Sequence, residues 1–325
     1  MQQEDVKTVA ITGMGTMGRG IAQCFASNGF NMRCHDPDPE ALARALPLID
    51  SIQETLVNAG LLSCEDALFA LDSIECFSDF EECVLDAQVV IEAAPERLDL
   101  KMEIIERLDR LCAPPVVLAT NTSGLSISRI ASAAKHPERV AGFHWWNPAH
   151  LMPLVEVTRG EKTSDETAQL LLWLARRLGK RPILVRRDVP GFVGNRLQFA
   201  VLREALHLVQ EGIASPEDVD TAMKAGPGLR YAFLGPLETA DLGGLDVFAS
   251  ISEYLFAELS AAKRPPACLT EAVRQNRLGV KSGAGFYDYS GKRLEELLAA
   301  RDSRLIDVIA ALGNDDKKKG TRPCK

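Results

Sequence analysis

Runs of apolar residues separated by glycine-bearing or polar turns dominate the first 190 positions, and most are too short for helices. Thr8-Val9-Ala10-Ile11-Thr12 reads as a buried strand, followed by the turn Gly13-Met14-Gly15-Thr16-Met17-Gly18 and a helical run from Gly18 to Ser27. A second apolar stretch ends in Asp36. Further strands are predicted at 88–92, 116–119, 140–143, 154–157 and 182–185, with a helix over 98–111. Strands alternating with helices predict a parallel, doubly wound α/β sheet. Beyond about residue 187 the period changes to 3.6. Phe192, Leu197, Ala200, Val201, Ala205, Leu208 and Val209 recur along a helix opening near Val189, and more helices are predicted at 216–225, 236–260 and 267–277. Two domains are therefore expected, 1–187 and an all-α 188–325, the latter with a solvated tail from about 314 that ends in Lys317-Lys318-Lys319-Gly320-Thr321-Arg322-Pro323-Cys324-Lys325.

Composition narrows the class. The 325 residues are 46% hydrophobic with a net charge of −8, which describes a globular protein of small-molecule chemistry and argues against a basic nucleic-acid surface. No apolar run reaches membrane-spanning length. Eight cysteines form no CxxC pair and no Cys/His cluster, so neither a metal site nor a disulfide framework is signalled, and a reducing cytoplasm is the expected compartment. The first residues run straight into a strand, unlike a targeting peptide.

Three groups of residues carry chemistry. Gly13, Gly15 and Gly18 permit a tight turn and close backbone approach to a pyrophosphate, whose charge would meet the helix N-terminus. Asp36, 18 residues beyond Gly18, stands where an acid would accept from a ribose 2′-hydroxyl and repel a 2′-phosphate. That favours NAD over NADP, although Arg33 and Arg44 are near in sequence. The second group is the pair His144 and Glu156. A carboxylate inside Leu154-Val155-Glu156-Val157 needs a partner, and His144 at the end of Val140-Ala141-Gly142-Phe143 is the obvious one. Such a pair fixes the imidazole tautomer and leaves the other nitrogen to take a proton. The third group lies on turns and helix starts. Glu96 and Ser123 follow strands and should converge with His144, while Asn195, in the first turn of the junction helix, is expected to point into the interdomain cleft.

In order and spacing these pieces resemble the 3-hydroxyacyl-CoA dehydrogenase family up to about residue 290. They are Gly13 to Gly18, Ala94-Pro95-Glu96 through Lys101, Asn121-Thr122-Ser123-Gly124, His144-Trp145-Trp146-Asn147-Pro148, Leu154 to Val157, Pro190-Gly191-Phe192-Val193-Gly194-Asn195-Arg196 and Lys281-Ser282-Gly283-Ala284-Gly285-Phe286-Tyr287. The resemblance implies a Rossmann-type domain, fatty acid metabolism and NAD-dependent oxidation of the 3-hydroxyl of a short-chain 3-hydroxyacyl-CoA. It implies His144 as general base and Glu156 as its orienting carboxylate, with Ser123 and Asn195 donating to the reacting oxygen. It also implies NAD contacts from Gly13, Met14, Gly15, Thr16, Met17, Gly18, Asp36, Glu96, Lys101, Ser123, Asn147 and Lys281, and a homodimer through the helical domain.

Two departures bear on the substrate. From Ala45 to Glu96 there is no lysine or arginine, where CoA-using relatives supply a lysine to CoA, while acids from Asp50 to Glu96 crowd the segment. Gly226-Pro227-Gly228-Leu229-Arg230-Tyr231-Ala232-Phe233-Leu234-Gly235-Pro236 is similar to the free-acid branch of gulonate 3-dehydrogenase, the lambda-crystallins and carnitine dehydrogenase, with Arg230 as a candidate for a substrate carboxylate. Ala240 to Asp246 and Lys281 to Tyr287 look more like the acyl-CoA enzymes. The alternatives are therefore a free 3-hydroxy acid dehydrogenase or a non-catalytic NAD-binding, crystallin-like protein.

Overall fold

The computed structural model describes residues 3–319. Its centre is an eight-stranded sheet made of β1 (Thr8–Thr12), β2 (Asn31–His35), β3 (Ile74–Phe77), β4 (Val89–Glu92), β5 (Val117–Thr120), β6 (Val140–Trp145), β7 (Leu154–Thr158) and β8 (Arg181–Val185). The spatial order is β3-β2-β1-β4-β5-β6-β7-β8. Strands β1 to β6 run parallel, β7 runs antiparallel to β6, and β8 is parallel to β7. The α/β class with a mostly parallel, doubly wound sheet and a helical second part is as expected. Helices cover both faces, so β4, β5 and β6 are buried at every position and open as apolar runs, with Glu92, Thr120 and His144 towards their carboxyl ends. Val9 and Ile11 belong to the core on one face, Ala10 to the core on the other.

The chain order reverses between β1 and β4, the place where open α/β sheets leave a crevice at their carboxyl ends. Main-chain bonds lace that edge together: Gly13 N–H donates to His35 O, Ala93 N–H to Thr12 O and Asn121 N–H to Glu92 O.

The chain divides into two compact units, Met1–Arg196 and Leu197–Lys325. The first holds the sheet and nearly all of the core. In the second, Leu206, Thr239, Ala272 and Gly285 are the buried residues among those described. The expected helix over 236–260 is two helices, Pro236–Gly243 and Leu245–Glu258, broken at Gly244, whose φ of 92° ends a right-handed helix. A short helix, Pro227–Tyr231, carries Arg230. The junction helix spans Gly194–Gln210, so it begins later than Val189; Phe192 precedes it with φ 50°. Of the predicted stripe Phe192, ahead of the helix, is buried while Leu197 and Val201 are exposed, and the buried residue of the helix itself is Leu206, which the stripe did not include. A final helix, Leu294–Lys319, runs through part of the predicted tail, the rest of which lies outside the described residues. Among the described residues no helix is long and apolar enough to cross a membrane.

Candidate active site

Strand β6 continues two residues past the apolar run that predicts it, so His144 sits within the strand rather than in the loop beyond. Antiparallel pairing with β7 sets His144 directly opposite Glu156. Directly opposed side chains in antiparallel strands are close neighbours, and His144 Nδ1 lies 2.8 Å from Glu156 Oε2. Both are buried, at 4% and 0% exposure. An unpaired carboxylate there would be costly. Glu156 instead accepts four hydrogen bonds. His144 Nδ1 and Trp146 Nε1 (3.3 Å) reach Oε2, while the backbone N–H groups of Val193 and Gly194, each at 3.0 Å, reach Oε1. Burial pushes the Glu156 carboxyl up, yet the bonds from His144, Gly194 and Val193 outweigh it and hold the group below the ordinary glutamate range. With Nδ1–H donated to the carboxylate, Nε2 is the nitrogen left to exchange a proton. The rings of Trp146 and Phe192 stand 5.7 and 5.8 Å from the imidazole.

A second chain of bonds runs through the β4 and β5 turns. Glu96 Oε1 accepts from Thr122 Oγ1 (2.7 Å) and from Ser123 N–H (2.9 Å). Asn195 Nδ2 donates to Ser123 O at 2.7 Å. Residues 194 and 195 thus tie the two chains together, the first on Glu156 and the second on Ser123. Glu96, Ser123 and His144, the residues expected to converge, are linked in this way, with Glu156 and Asn195 as the intermediaries.

Lys101, which the resemblance assigns to the cofactor, is held by its own neighbours. It is 1% exposed and spends its three donors on Glu92 Oε1 (2.8 Å), Glu92 Oε2 (3.0 Å) and Ala94 O (3.0 Å), with Glu96 Oε2 at 3.7 Å. Glu92 also accepts from Thr120 Oγ1 and Ala94 N–H. Asn147 is exposed just after β6, at a cis bond to Pro148. Arg230 and Lys281 are exposed residues of the second unit, Lys281 on the wall of a cavity it shares with Arg277 and Tyr287.

The glycine turn fits a dinucleotide. A Cβ at Gly18 would fall 1.8 Å from Gly13 O, and one at Gly13 (φ 98°) 2.6 Å from Ala93 O, so the turn is as tight as a backbone permits. At Gly15, by contrast, a Cβ would meet nothing within 4 Å, and no side chain caps the helix Thr16–Ala26 that starts there. Open space before uncapped helix N–H groups is what a pyrophosphate requires. Met14 is wholly buried and contributes its backbone N–H, which donates to Asp36 Oδ2 at 2.7 Å. Asp36 borders a cavity of about 390 Å³ walled by Pro37, Leu42, Leu46 and Cys76, an apolar slot for a base. Arg33 turns away to the carbonyls of Glu82 and Cys83, and Arg44 donates to Glu40 O. Sequence reasoning passed over Arg19, which donates to Met14 O; burial and the neighbouring Arg44 lower its pKa, against the pull of Asp36. It also passed over the Val193 and Gly194 donors, which have no side-chain signature.

Comparison with known proteins gives the family. The family described as 3-hydroxyacyl-CoA dehydrogenase matches twice, by its NAD binding domain over residues 8–189 and its C-terminal domain over 191–289. The chain is 35% identical to 5-formyl-3-hydroxy-2-methylpyridine 4-carboxylate 5-dehydrogenase of Mesorhizobium japonicum, over 93% of this chain and 97% of that one. A solved structure of an enzyme of that activity, described as NAD+ dependent, superposes with a TM-score of 0.89 at 34% identity, covering 95% of this chain and 99% of the other. Identity is 40% to a probable 3-hydroxybutyryl-CoA dehydrogenase of Bacillus subtilis, over 89% of this chain and 99% of the relative. It is 36% to the L-carnitine dehydrogenase of Streptomyces coelicolor, over 98% and 99%.

Proposed function

The chain belongs to the 3-hydroxyacyl-CoA dehydrogenase family and is an NAD-dependent oxidoreductase, and on that premise we propose that it oxidises the hydroxyl of a small free acid, with His144 as general base. The observation that carries the base assignment is the 2.8 Å bond between His144 Nδ1 and the fourfold-bonded Glu156. When bound, NAD supplies the hydride acceptor. His144 Nε2 takes the hydroxyl proton as the carbinol carbon gives up its hydride, and Glu156 stabilises the imidazolium that results. Ser123 through its hydroxyl, and Asn195 through its second amide N–H, donate to the reacting oxygen. Asp36 accepts from the adenosine ribose. Glu96 and Asn147 serve the nicotinamide side. Lys101 acts at one remove, by fixing Glu92 and Glu96. A non-catalytic NAD-binding role would leave this buried, fully bonded pair without a purpose.

The free-acid reading rests on charge. The helices Ala45–Asn58 and Cys64–Asp72 lie in the segment from Ala45 to Glu96 that has twelve acids and no lysine or arginine. The phosphates of CoA would meet repulsion there. Arg230, exposed on the helix Pro227–Tyr231, offers a bidentate partner to a carboxylate. A screen of NAD reduction with 3-hydroxybutyrate, carnitine, gulonate and 3-hydroxybutyryl-CoA tests the choice. A free acid is expected to turn over best, and Arg230→Ala to raise its KM by about tenfold or more, as loss of a charge-assisted bond of about 1.5–3 kcal/mol requires. Preference for the CoA ester by two orders of magnitude overturns this reading in favour of a short-chain 3-hydroxyacyl-CoA dehydrogenase.

The second unit works as a pair in this proposal. The helix Leu245–Glu258 buries no residue, and Val247, Phe248, Ile251, Tyr254, Leu255 and Phe256 are between 38% and 70% exposed. Such an apolar surface requires a partner, and a second copy of the chain supplies one. Sedimentation equilibrium is expected to give twice the monomer mass of 35.4 kDa; a monomer at micromolar concentration rules the pairing out.

A further inference from the structure

We propose that Trp146 is a positioning residue of the proton-transferring pair: its indole N–H shares the Glu156 oxygen used by His144 and so limits how firmly Glu156 holds a proton on the imidazole. The proposal builds on the reading of His144 as base.

Trp146 Nε1 lies 3.3 Å from Glu156 Oε2, the atom that His144 Nδ1 reaches at 2.8 Å. Its neighbour Trp145 behaves otherwise: it is packed in the core, 2% exposed, and its Nε1 has no partner. Of two adjacent tryptophans, only the second gives its N–H to the carboxylate. The seat of that indole is shaped by Gly194, where a Cβ would stand 2.3 Å from Trp146 Cζ2. Glycine thus lets the ring lie against the start of the helix while the N–H of the same residue donates to Oε1.

The groups facing Glu156 are few. Strand β6 presents His144, β8 presents Ile183 in register, and residues 192–194 present the Phe192 ring near His144 and two backbone N–H groups. No other titratable side chain bonds to Glu156 among the described residues, so the competition on Oε2 is between imidazole and indole alone. Two donors on one carboxylate oxygen divide its charge, and what the indole draws is withheld from the imidazolium. A base must release its proton as well as take it. Held by an undivided carboxylate, the imidazolium would release it more slowly.

Histidine labelled with 13C at Cε1 reads the effect directly, because the chain has five histidines and His144→Ala identifies the signal. Trp146→Phe keeps an aromatic wall without the donor; 3-benzothienylalanine in place of Trp146 keeps the bicyclic shape and removes only the donor. In both, the midpoint of the His144 titration is expected to rise by about 0.3–1 pH unit with the other four unmoved. A midpoint that falls or stays within about 0.1 unit, or a His144 signal that titrates in none of the proteins, overturns the proposal. A purely structural role for the ring would lower Tm and leave the midpoint in place. Turnover of His144→Ala is scored separately: a wild-type kcat there removes the base assignment, whereas an unmoved midpoint with kcat lost in His144→Ala removes the Trp146 proposal alone.

Discussion

His144→Ala is expected to keep NADH affinity within about threefold of wild type while kcat falls by about 10² to 10⁴, the usual weight of one positioned acid/base group. The two measurements separate because the glycine turn and Asp36 lie at the β1 and β2 ends, whereas His144 and Glu156 face each other across β6 and β7. Glu156→Gln should lose as much for a different reason. The carboxylate accepts four donors on two oxygens, and an amide has one oxygen to offer. Whichever way it turns, its NH2 group opposes either His144 and Trp146 or the Val193 and Gly194 N–H groups. Leaving buried donors unmet costs about 1–3 kcal/mol each, so thermal stability should drop along with kcat. Fluorescence titration with NADH, steady-state rates on the best substrate of the screen and a melting curve check all three. Wild-type turnover by either variant would sink the assignment.

The other large effect is expected at the glycine turn. Gly18→Ala puts a methyl group 1.8 Å from Gly13 O, and Gly13 cannot retreat because its own Cβ direction is filled by Ala93 O and C at 2.6 and 2.7 Å. The turn must open, and with it the path from β1 into the helix Thr16–Ala26. We expect NADH binding to be undetectable at millimolar cofactor, a loss of more than about 4 kcal/mol for an enzyme binding near 1 μM, with a lower Tm. Gly15→Ala is the control that divides fold from ligand. Nothing lies within 4 Å of its Cβ, so the melting temperature should hold while cofactor affinity falls. If Gly15→Ala binds NADH as wild type does, no phosphate passes that point and the assignment of the turn is wrong.

Local patterns account for what was legible in the chain. Strand β1, the glycine turn, the helix after it and the acid ending β2 are contiguous and each has a physical signature, so sequence alone places them. Pair direction has no such signature: an apolar run looks the same in β6 and β7, and only the fold shows that β7 turns back and lays Glu156 opposite His144. Strand β3 went unread because its four residues, Ile74–Phe77, include Glu75 and lie among acidic helices. Gly244 read as one more helical position until its positive φ broke the helix. The seat of Lys101 is another case: its burial beside Glu92 depends on a strand end 9 residues away, which composition cannot reveal. The donors on Glu156 from Val193 and Gly194 are backbone groups, which every sequence has and none advertises.

Those two N–H groups have a practical bearing on how the protein can be taken apart. The family's two domains meet between residues 189 and 191, an inviting place to cut a gene. Cutting there would strip the Glu156 carboxylate of half its ligation and remove Phe192, which is 1% exposed in the core of the first unit. The severed N-terminal piece would hold a carboxylate with one oxygen stripped of its donors, and its cheapest remedy is to take up a proton. Anyone dissecting this enzyme, or grafting its cofactor half onto another substrate half, has to carry the chain through Arg196, because the seam between sequence families and the seam between working parts fall in different places.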